Sequence, residues 1–223
     1  MRPLLLARPL LLALAAAAWA SAGVAQSGPV FKIDFSNPGL DPPHWTMTLY
    51  PDGSGHFRAD RAASPGQTRS QADPPQVDRD IRLTTAFAGR VFFTAQRHKL
   101  FNSGCESHLK VAFEGWKRLS YSGPDGEGSC EYNFSRDAEI QDLGDSLVSV
   151  AATINEGTRL ENLLLHDRLG LDKEMEYVSG AAASGQLQQI GTIRDILQRL
   201  AEDDSVLDRV RKRAAALLAL AGR

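Results

Sequence analysis

Cysteine is scarce in this sequence: among its 223 residues only Cys105 and Cys130 carry a thiol. A zinc site usually combines cysteines and histidines at short spacings. The chain has no Cys-x-x-Cys and no His-x-x-x-His, and only His98 and His108 lie within ten residues of Cys105. We therefore expect no metal site, and nothing near either cysteine indicates a redox pair or a cysteine nucleophile.

Sequence motifs of the common enzyme classes are missing as well. We find no Gly-x-Ser-x-Gly, no His-Glu-x-x-His and no phosphate-binding loop, which are local signatures of serine hydrolases, zinc proteases and nucleotide enzymes. An active site assembled from distant residues would leave no such signature. The sequence thus favours a protein without enzymatic activity, and it indicates no catalytic residue and no cofactor.

An excess of positive charge is also lacking. Lys and Arg number 25 against 27 Asp and Glu, which gives a formal net charge of −2 at pH 7. Proteins that bind nucleic acids usually concentrate basic residues on one face of a domain. We therefore expect no nucleic-acid partner.

Long hydrophobic runs are limited to the N-terminus. Two arginines precede the unbroken apolar run Leu10–Ala20, and small residues follow it, which is typical of a secretory signal peptide over residues 1–25. Cleavage after Ala25 suits the small residues at the cut, and cleavage after Ala22 is the alternative. The run is too short to cross about 30 Å of hydrocarbon comfortably. We expect a secreted or periplasmic protein with no membrane span after cleavage.

Export gives the two cysteines a role. Outside the cytosol, paired cysteines are oxidised to disulfides. We therefore predict a structural bridge between Cys105 and Cys130. On a chain-entropy estimate, a loop of this length is worth roughly 3–4 kcal/mol of stability.

The chain up to about Asp137 has the pattern of short strands and turns. Trp45, Met47 and Leu49 alternate with threonines, as in a strand with one buried face. Periodicity of three and four predicts one helix within this part, over about 86–99. A long loop poor in large apolar residues is predicted over 61–78. We predict strands at 30–35, 45–50, 54–60, 80–84, 109–113, 116–121 and 129–134.

Beyond Asp137 the pattern becomes helical. Apolar residues recur three and four apart, as on a helix that faces a core: Ile140, Leu143, Leu147, Val150 and Ile154. Gly157 is expected to weaken this helix. Further helices are predicted over about 173–178, from 187 to 200, and from 203 onward, with residues 179–185 as a soft connection.

These patterns together predict an α+β fold: a small antiparallel β-sheet with one helix, followed by a C-terminal antiparallel helical bundle. The divisions are a signal peptide at 1–25, a β-rich part at 26–136 with the long loop 61–78, and a helical part at 137–223. Because the connection before Asp137 is short, we expect the last two parts to share one core.

The function that fits these features is a non-enzymatic binding or interaction protein of the cell envelope, with an envelope protein or polymer as its partner. One alternative is a hydrolase of envelope polymers with dispersed carboxylates. Another is a carrier or inhibitor of a small ligand. The aromatic residues of the predicted strands are the candidate ligand contacts: Trp45, Tyr50, Trp116 and Tyr121.

Export is directly testable. Mass spectrometry of the exported protein should find an N-terminus at Gln26, or at Gly23 if the alternative cleavage site is used, because small residues precede both cuts. Exported protein that retains Met1 would contradict the signal-peptide interpretation.

Overall fold

The computed structural model describes residues 28–60 and 76–221. The predicted signal peptide and residues 61–75 of the predicted loop lie outside the described residues. The strands are β1 (Val30–Ser36), β2 (His44–Leu49), β3 (Ser54–Asp60), β4 (Val77–Arg82), β5 (Trp116–Gly123) and β6 (Gly126–Tyr132). The helices are α1 (Thr85–Arg97), α2 (Ala138–His166), α3 (Leu171–Ala183), α4 (Arg194–Glu202) and α5 (Asp208–Ala221).

All six strands form one antiparallel sheet in the order β4-β3-β2-β1-β5-β6. Because side chains alternate across a strand, each strand presents one apolar and one polar face. In β1, Phe31, Ile33 and Phe35 are fully buried, whereas Lys32 is exposed on the other side. Helices cover the apolar face, and the polar face remains open to solvent. The α+β fold with an antiparallel sheet is confirmed.

Two clusters of buried side chains form the interior. The first joins the apolar face of the sheet to α1 and to the first half of α2, as far as Ile154. The second begins at Leu160 of α2 and includes α3, α4 and α5. Helix α2 is 29 residues long and contributes to both clusters. The predicted apolar stripe of this helix, from Ile140 to Ile154, is buried.

Helix α2 runs through Gly157 without a break. A Cβ atom at this position would lie 2.3 Å from Cγ2 of Ile193, in the 3₁₀ turn Ile190–Ile193 that precedes α4. The glycine therefore allows the turn to pack directly against the helix backbone. Its intrinsic helix penalty of about 1 kcal/mol is offset by this close contact.

Several predicted boundaries were wrong. The strand expected at 80–84 is β4 at Val77–Arg82, so two residues of the predicted loop 61–78 belong to it. Helix α3 runs to Ala183 and absorbs most of the expected soft connection, because Ala181 packs into the second cluster. The helix predicted from 187 is a 3₁₀ turn followed by α4, after a left-handed residue at Gln189.

The strand predicted at 109–113 does not form. Its apolar residues Leu109, Val111 and Phe113 are exposed. Their segment leads from α1 to β5. The hydrogen-bonding partner of its backbone is the side chain of Asn133 rather than a neighbouring strand. The predicted disulfide is confirmed: Cys105 is bonded to Cys130 of β6, with their Cα atoms 5.7 Å apart. Within the described part of the chain, no helix combines the length and hydropathy needed to cross a membrane.

Two helical glycines provide a matched test of the packing at α2. We predict that Gly157→Ala destabilises the protein by about 1–3 kcal/mol, because the added methyl group overpacks the contact with Ile193. Gly89→Ala in α1 should instead stabilise it by up to about 1 kcal/mol, since a Cβ there meets no atom within 4 Å. Urea denaturation of both variants measures the difference. A Gly157→Ala variant as stable as the unmodified protein would contradict the described packing.

Candidate functional site

Four large apolar side chains are exposed together at one end of the sheet. We call them the loop patch: Leu109, Val111, Phe113 and Trp116. Each of these side chains is between 42% and 51% exposed. Trp116 is the first residue of β5 and lies opposite Ser36 at the end of β1. The rings of Phe113 and Trp116 meet edge to face, with their centroids 6.2 Å apart. Large apolar side chains exposed in one short segment are candidates for an interaction site.

The side chain of Asn133 binds the backbone of the segment that carries the loop patch. Its Oδ1 accepts hydrogen bonds from the backbone N–H groups of Glu114 (2.7 Å) and Gly115 (3.3 Å). Its Nδ2 donates to the carbonyl oxygen of Ala112 at 3.0 Å. One amide side chain thus binds the backbone of three residues within 112–115, and it takes the place of the neighbouring strand that the alternation of apolar residues predicts.

Glu106 fixes the other end of the same segment. Its carboxylate accepts hydrogen bonds from the backbone N–H groups of Asn133 (2.7 Å) and His108 (2.9 Å). Burial alone would raise the pKa of Glu106, but these hydrogen bonds outweigh it and hold the pKa below its usual value. The carboxylate is therefore charged at neutral pH, which strengthens both hydrogen bonds.

The segment is also tied to the sheet on either side of Glu106. Cys105 is bonded to Cys130, and the backbone N–H of Ser107 donates to the carbonyl oxygen of Phe134 at 2.9 Å. These links join the segment to β6 and to the residues that follow it. They keep residues 105–107 in place, so that the loop patch begins from a fixed point.

Gly115 completes the path of the chain into β5. Its φ angle is +116°, a region that favours glycine, and a Cβ atom there would lie 2.5 Å from the ring of Phe35. The backbone therefore crosses directly over this buried ring before Trp116. No other residue type fits this close approach, and it sets the direction in which Trp116 leaves the sheet.

The open face of the sheet carries paired charges. His44 lies between Asp60 (2.7 Å) and Asp34 (3.1 Å). Burial lowers the pKa of His44, but hydrogen bonds to both aspartates outweigh it, and the pKa is raised. Because these charged groups are paired with one another, they need no external partner.

A second histidine on the open face has the same surroundings. His56 lies between Asp78 (2.9 Å) and Asp80 (3.0 Å). Its pKa is raised, mainly by the hydrogen bond to Asp80. Among the described residues, no group of three or more His, Cys, Asp or Glu is arranged to hold a metal ion.

The four predicted ligand contacts do not lie together. Trp45 and Tyr121 are on the covered face, where each is 3% exposed. Trp45 stacks on Phe35, and the Tyr121 hydroxyl donates to Asp125. Tyr50 and Trp116 are exposed at opposite ends of the sheet, separated by the length of β1, or roughly 20 Å. Their role as ligand contacts stays a prediction.

Sequence reasoning missed the supporting residues Glu106 and Asn133, because a side chain that binds a distant backbone leaves no periodic signal. It also passed over one Ser-x-x-Lys spacing, from Ser107 to Lys110. In enzymes of that class the serine is the nucleophile. Here the Ser107 hydroxyl accepts from the N–H of Leu109 and donates to Glu106, within an irregular segment. It is a structural group of the loop.

A pair of carboxyl groups lies between α2 and α3. Burial raises the pKa of Glu156 to about 8, and a hydrogen bond to Glu174 adds to this rise. Arg159 binds Glu174 at 2.9 Å. Glu156 therefore carries a proton at neutral pH, whereas Glu174 is paired with a cation. Catalytic carboxylates of glycoside hydrolases flank a cleft that admits substrate. This pair is packed between helices and gives the hydrolase alternative no support.

The chain matches no protein-family model, and a search of curated proteins found no match either.

Proposed function

We propose that this protein is an exported, non-enzymatic binding protein of the cell envelope, and that the loop patch binds a partner protein. The observation that carries the proposal is the contrast within residues 105–116. The apolar side chains of this segment point to solvent, while its backbone is fixed by a disulfide, a charged carboxylate and an asparagine side chain.

Fixing an exposed segment lowers the entropic cost of binding. A mobile loop loses conformational freedom when a partner orders it, at roughly 0.5–1.5 kcal/mol for each immobilised side chain. In this protein the backbone of the loop patch is already held when the chain is folded. The apolar surface of Phe113 and Trp116 is therefore presented in one arrangement, which supports a role in recognition.

The composition of the loop patch favours a protein as the partner. Tryptophan dominates binding energy at protein interfaces, and phenylalanine is enriched there. Leu109 and Val111 offer apolar area and no hydrogen-bonding groups, so they suit an apolar protein surface better than a hydroxyl-rich polymer. The exposed polar residues His108, Lys110 and Glu114 surround this centre, as the polar rim of an interface does.

Two features support the location in the cell envelope or outside the cell. The sequence of residues 1–25 is typical of a signal peptide. The disulfide between Cys105 and Cys130 is of the kind that forms and persists in oxidising compartments. Both features are consistent with a binding protein that acts after export.

The proposal is tested with a double variant and a matched control. A partner is first captured with the exported protein from an envelope extract, identified and purified, and its affinity is then measured by calorimetry. Phe113→Ala with Trp116→Ala should weaken binding about tenfold or more, because aromatic residues at the centre of an interface carry much of its energy. Leu165→Ala with Leu169→Ala, at exposed positions in the last turn of α2 and just after it, should leave the affinity unchanged.

Equal affinities for the two double variants would overturn the assignment of the loop patch. Sedimentation with lipid vesicles gives a second readout, because an exposed Trp and Phe also suit a membrane surface. Vesicle binding that disappears only in the Phe113→Ala, Trp116→Ala variant would replace the partner protein with a lipid surface.

A further inference from the structure

A polar groove lies on the helical side of the molecule, away from the open face of the sheet. It is a shallow groove of about 480 Å³, largely open to solvent, and is formed by α1, α2 and the connection that follows α3. This volume is within the range of small-molecule sites. Polar side chains line the groove from all three elements: Arg90, Asp142, Asp145, Ser146, Gln186 and Gln188.

Most of these polar side chains have no partner within the described part of the protein. Among the described residues, the guanidinium of Arg90 and the carboxylate of Asp142 form no ion pair or hydrogen bond. Arg90 is instead held over the ring of Phe87, with 4.8 Å between its Cζ and the ring centroid. Several other arginines of the surface are paired, as Arg97 is with Glu139 at 2.6 Å and Arg209 with Asp172 at 2.6 Å.

Ser146 contributes a hydroxyl group to the groove. It lines the groove but is only 7% exposed, and within the described residues its hydroxyl has no hydrogen-bond partner. The hydroxyl oxygen is not among the fully buried side-chain atoms that lack a partner, so it is open to solvent at the groove. It can therefore donate to or accept from a ligand in the groove.

The two aspartates of the groove differ in their surroundings. Asp145 accepts hydrogen bonds from Gln141 at 3.0 Å and has the ammonium of Lys117 behind it at 3.9 Å. Lys117 is almost fully buried, and burial lowers its pKa. Asp142 lies one helical turn earlier on the same side of α2 and keeps an unpaired carboxylate. Asp142 is therefore the group available to a cation.

An unpaired cation on α1 and an unpaired anion on α2 face one groove. We propose that this groove binds a small zwitterion, either a free amino acid or a short peptide. Arg90 binds the ligand carboxylate through its planar fork of donors. Asp142 binds the ligand ammonium group, and the Ser146 hydroxyl and the side-chain amides of Gln186 and Gln188 bind polar atoms between the two ends.

This inference is independent of the proposed function. The groove is built from α1, α2 and the α3–α4 connection. The loop patch belongs to residues 109–116 and is held by residues 105–107, by β6 and by Asn133. Loss of one site by substitution should leave the other intact, so the two proposals can fail separately.

The test is an NMR titration with L-alanine and L-alanyl-L-alanine as probes. Either probe should shift the amide signals of Ser146 and Gln186 in a saturable manner, and the better probe distinguishes an amino acid from a peptide. N-acetylated and C-terminally amidated alanylalanine should bind about tenfold more weakly or worse, because the first cannot form the ion pair with Asp142 and the second cannot form the ion pair with Arg90.

Two variants assign the charges. Arg90→Gln should abolish the preference for a free carboxylate over the amide, and Asp142→Asn should abolish the preference for a free amine over the acetylated form. Arg82→Gln, on the exposed side of β4, should change neither preference. The proposal is overturned if both probes give no saturable shift up to about 10 mM, which corresponds to less than about 3 kcal/mol of binding. It is equally overturned if the blocked probes bind as well as the free ones.

Discussion

The hydrogen bonds of the Asn133 side chain determine the character of the functional surface. They bind the backbone of Ala112, Glu114 and Gly115 where a strand would otherwise be needed. The segment can therefore stay outside the sheet and still hold one conformation. Its apolar residues remain available to solvent, and the disulfide and Glu106 secure its beginning. The entropy of ordering this loop is lost on folding rather than on binding, which is what a pre-organised interface requires.

Strand β5 connects the two proposed sites. Adjacent residues of a strand point to opposite faces, so Trp116 belongs to the loop patch while Lys117 is buried beneath α2. The ammonium of Lys117 lies 3.9 Å from Asp145, which lines the polar groove. Helix α2 in turn contributes to both hydrophobic clusters. The surface and the groove are thus linked through β5 and α2, although no residue belongs to both sites.

Periodicity predicted the parts of the structure that bury one face. The alternation of Trp45, Met47 and Leu49 indicated β2, and the spacing from Ile140 to Ile154 indicated the buried side of α2. The same rule failed at Leu109, Val111 and Phe113, which alternate as a strand does but have an asparagine side chain as their neighbour. The groove was also beyond prediction, because α1, α2 and the α3–α4 connection meet only in the folded chain. A single sequence shows which residues prefer burial. It does not show which distant side chain will form hydrogen bonds with the backbone of a loop.

The most direct test of the account is amide hydrogen exchange at Glu114 and Gly115, measured by NMR on the exported protein. Both N–H groups belong to a segment with exposed neighbours and would exchange quickly in a mobile loop. Because both donate to Oδ1 of Asn133, we predict exchange slowed about a hundredfold or more relative to an unstructured chain, a protection that opening of the loop would limit. Exchange of these two amides at the rate of an unstructured chain would show that the loop patch is mobile and contradict its role as a pre-organised surface.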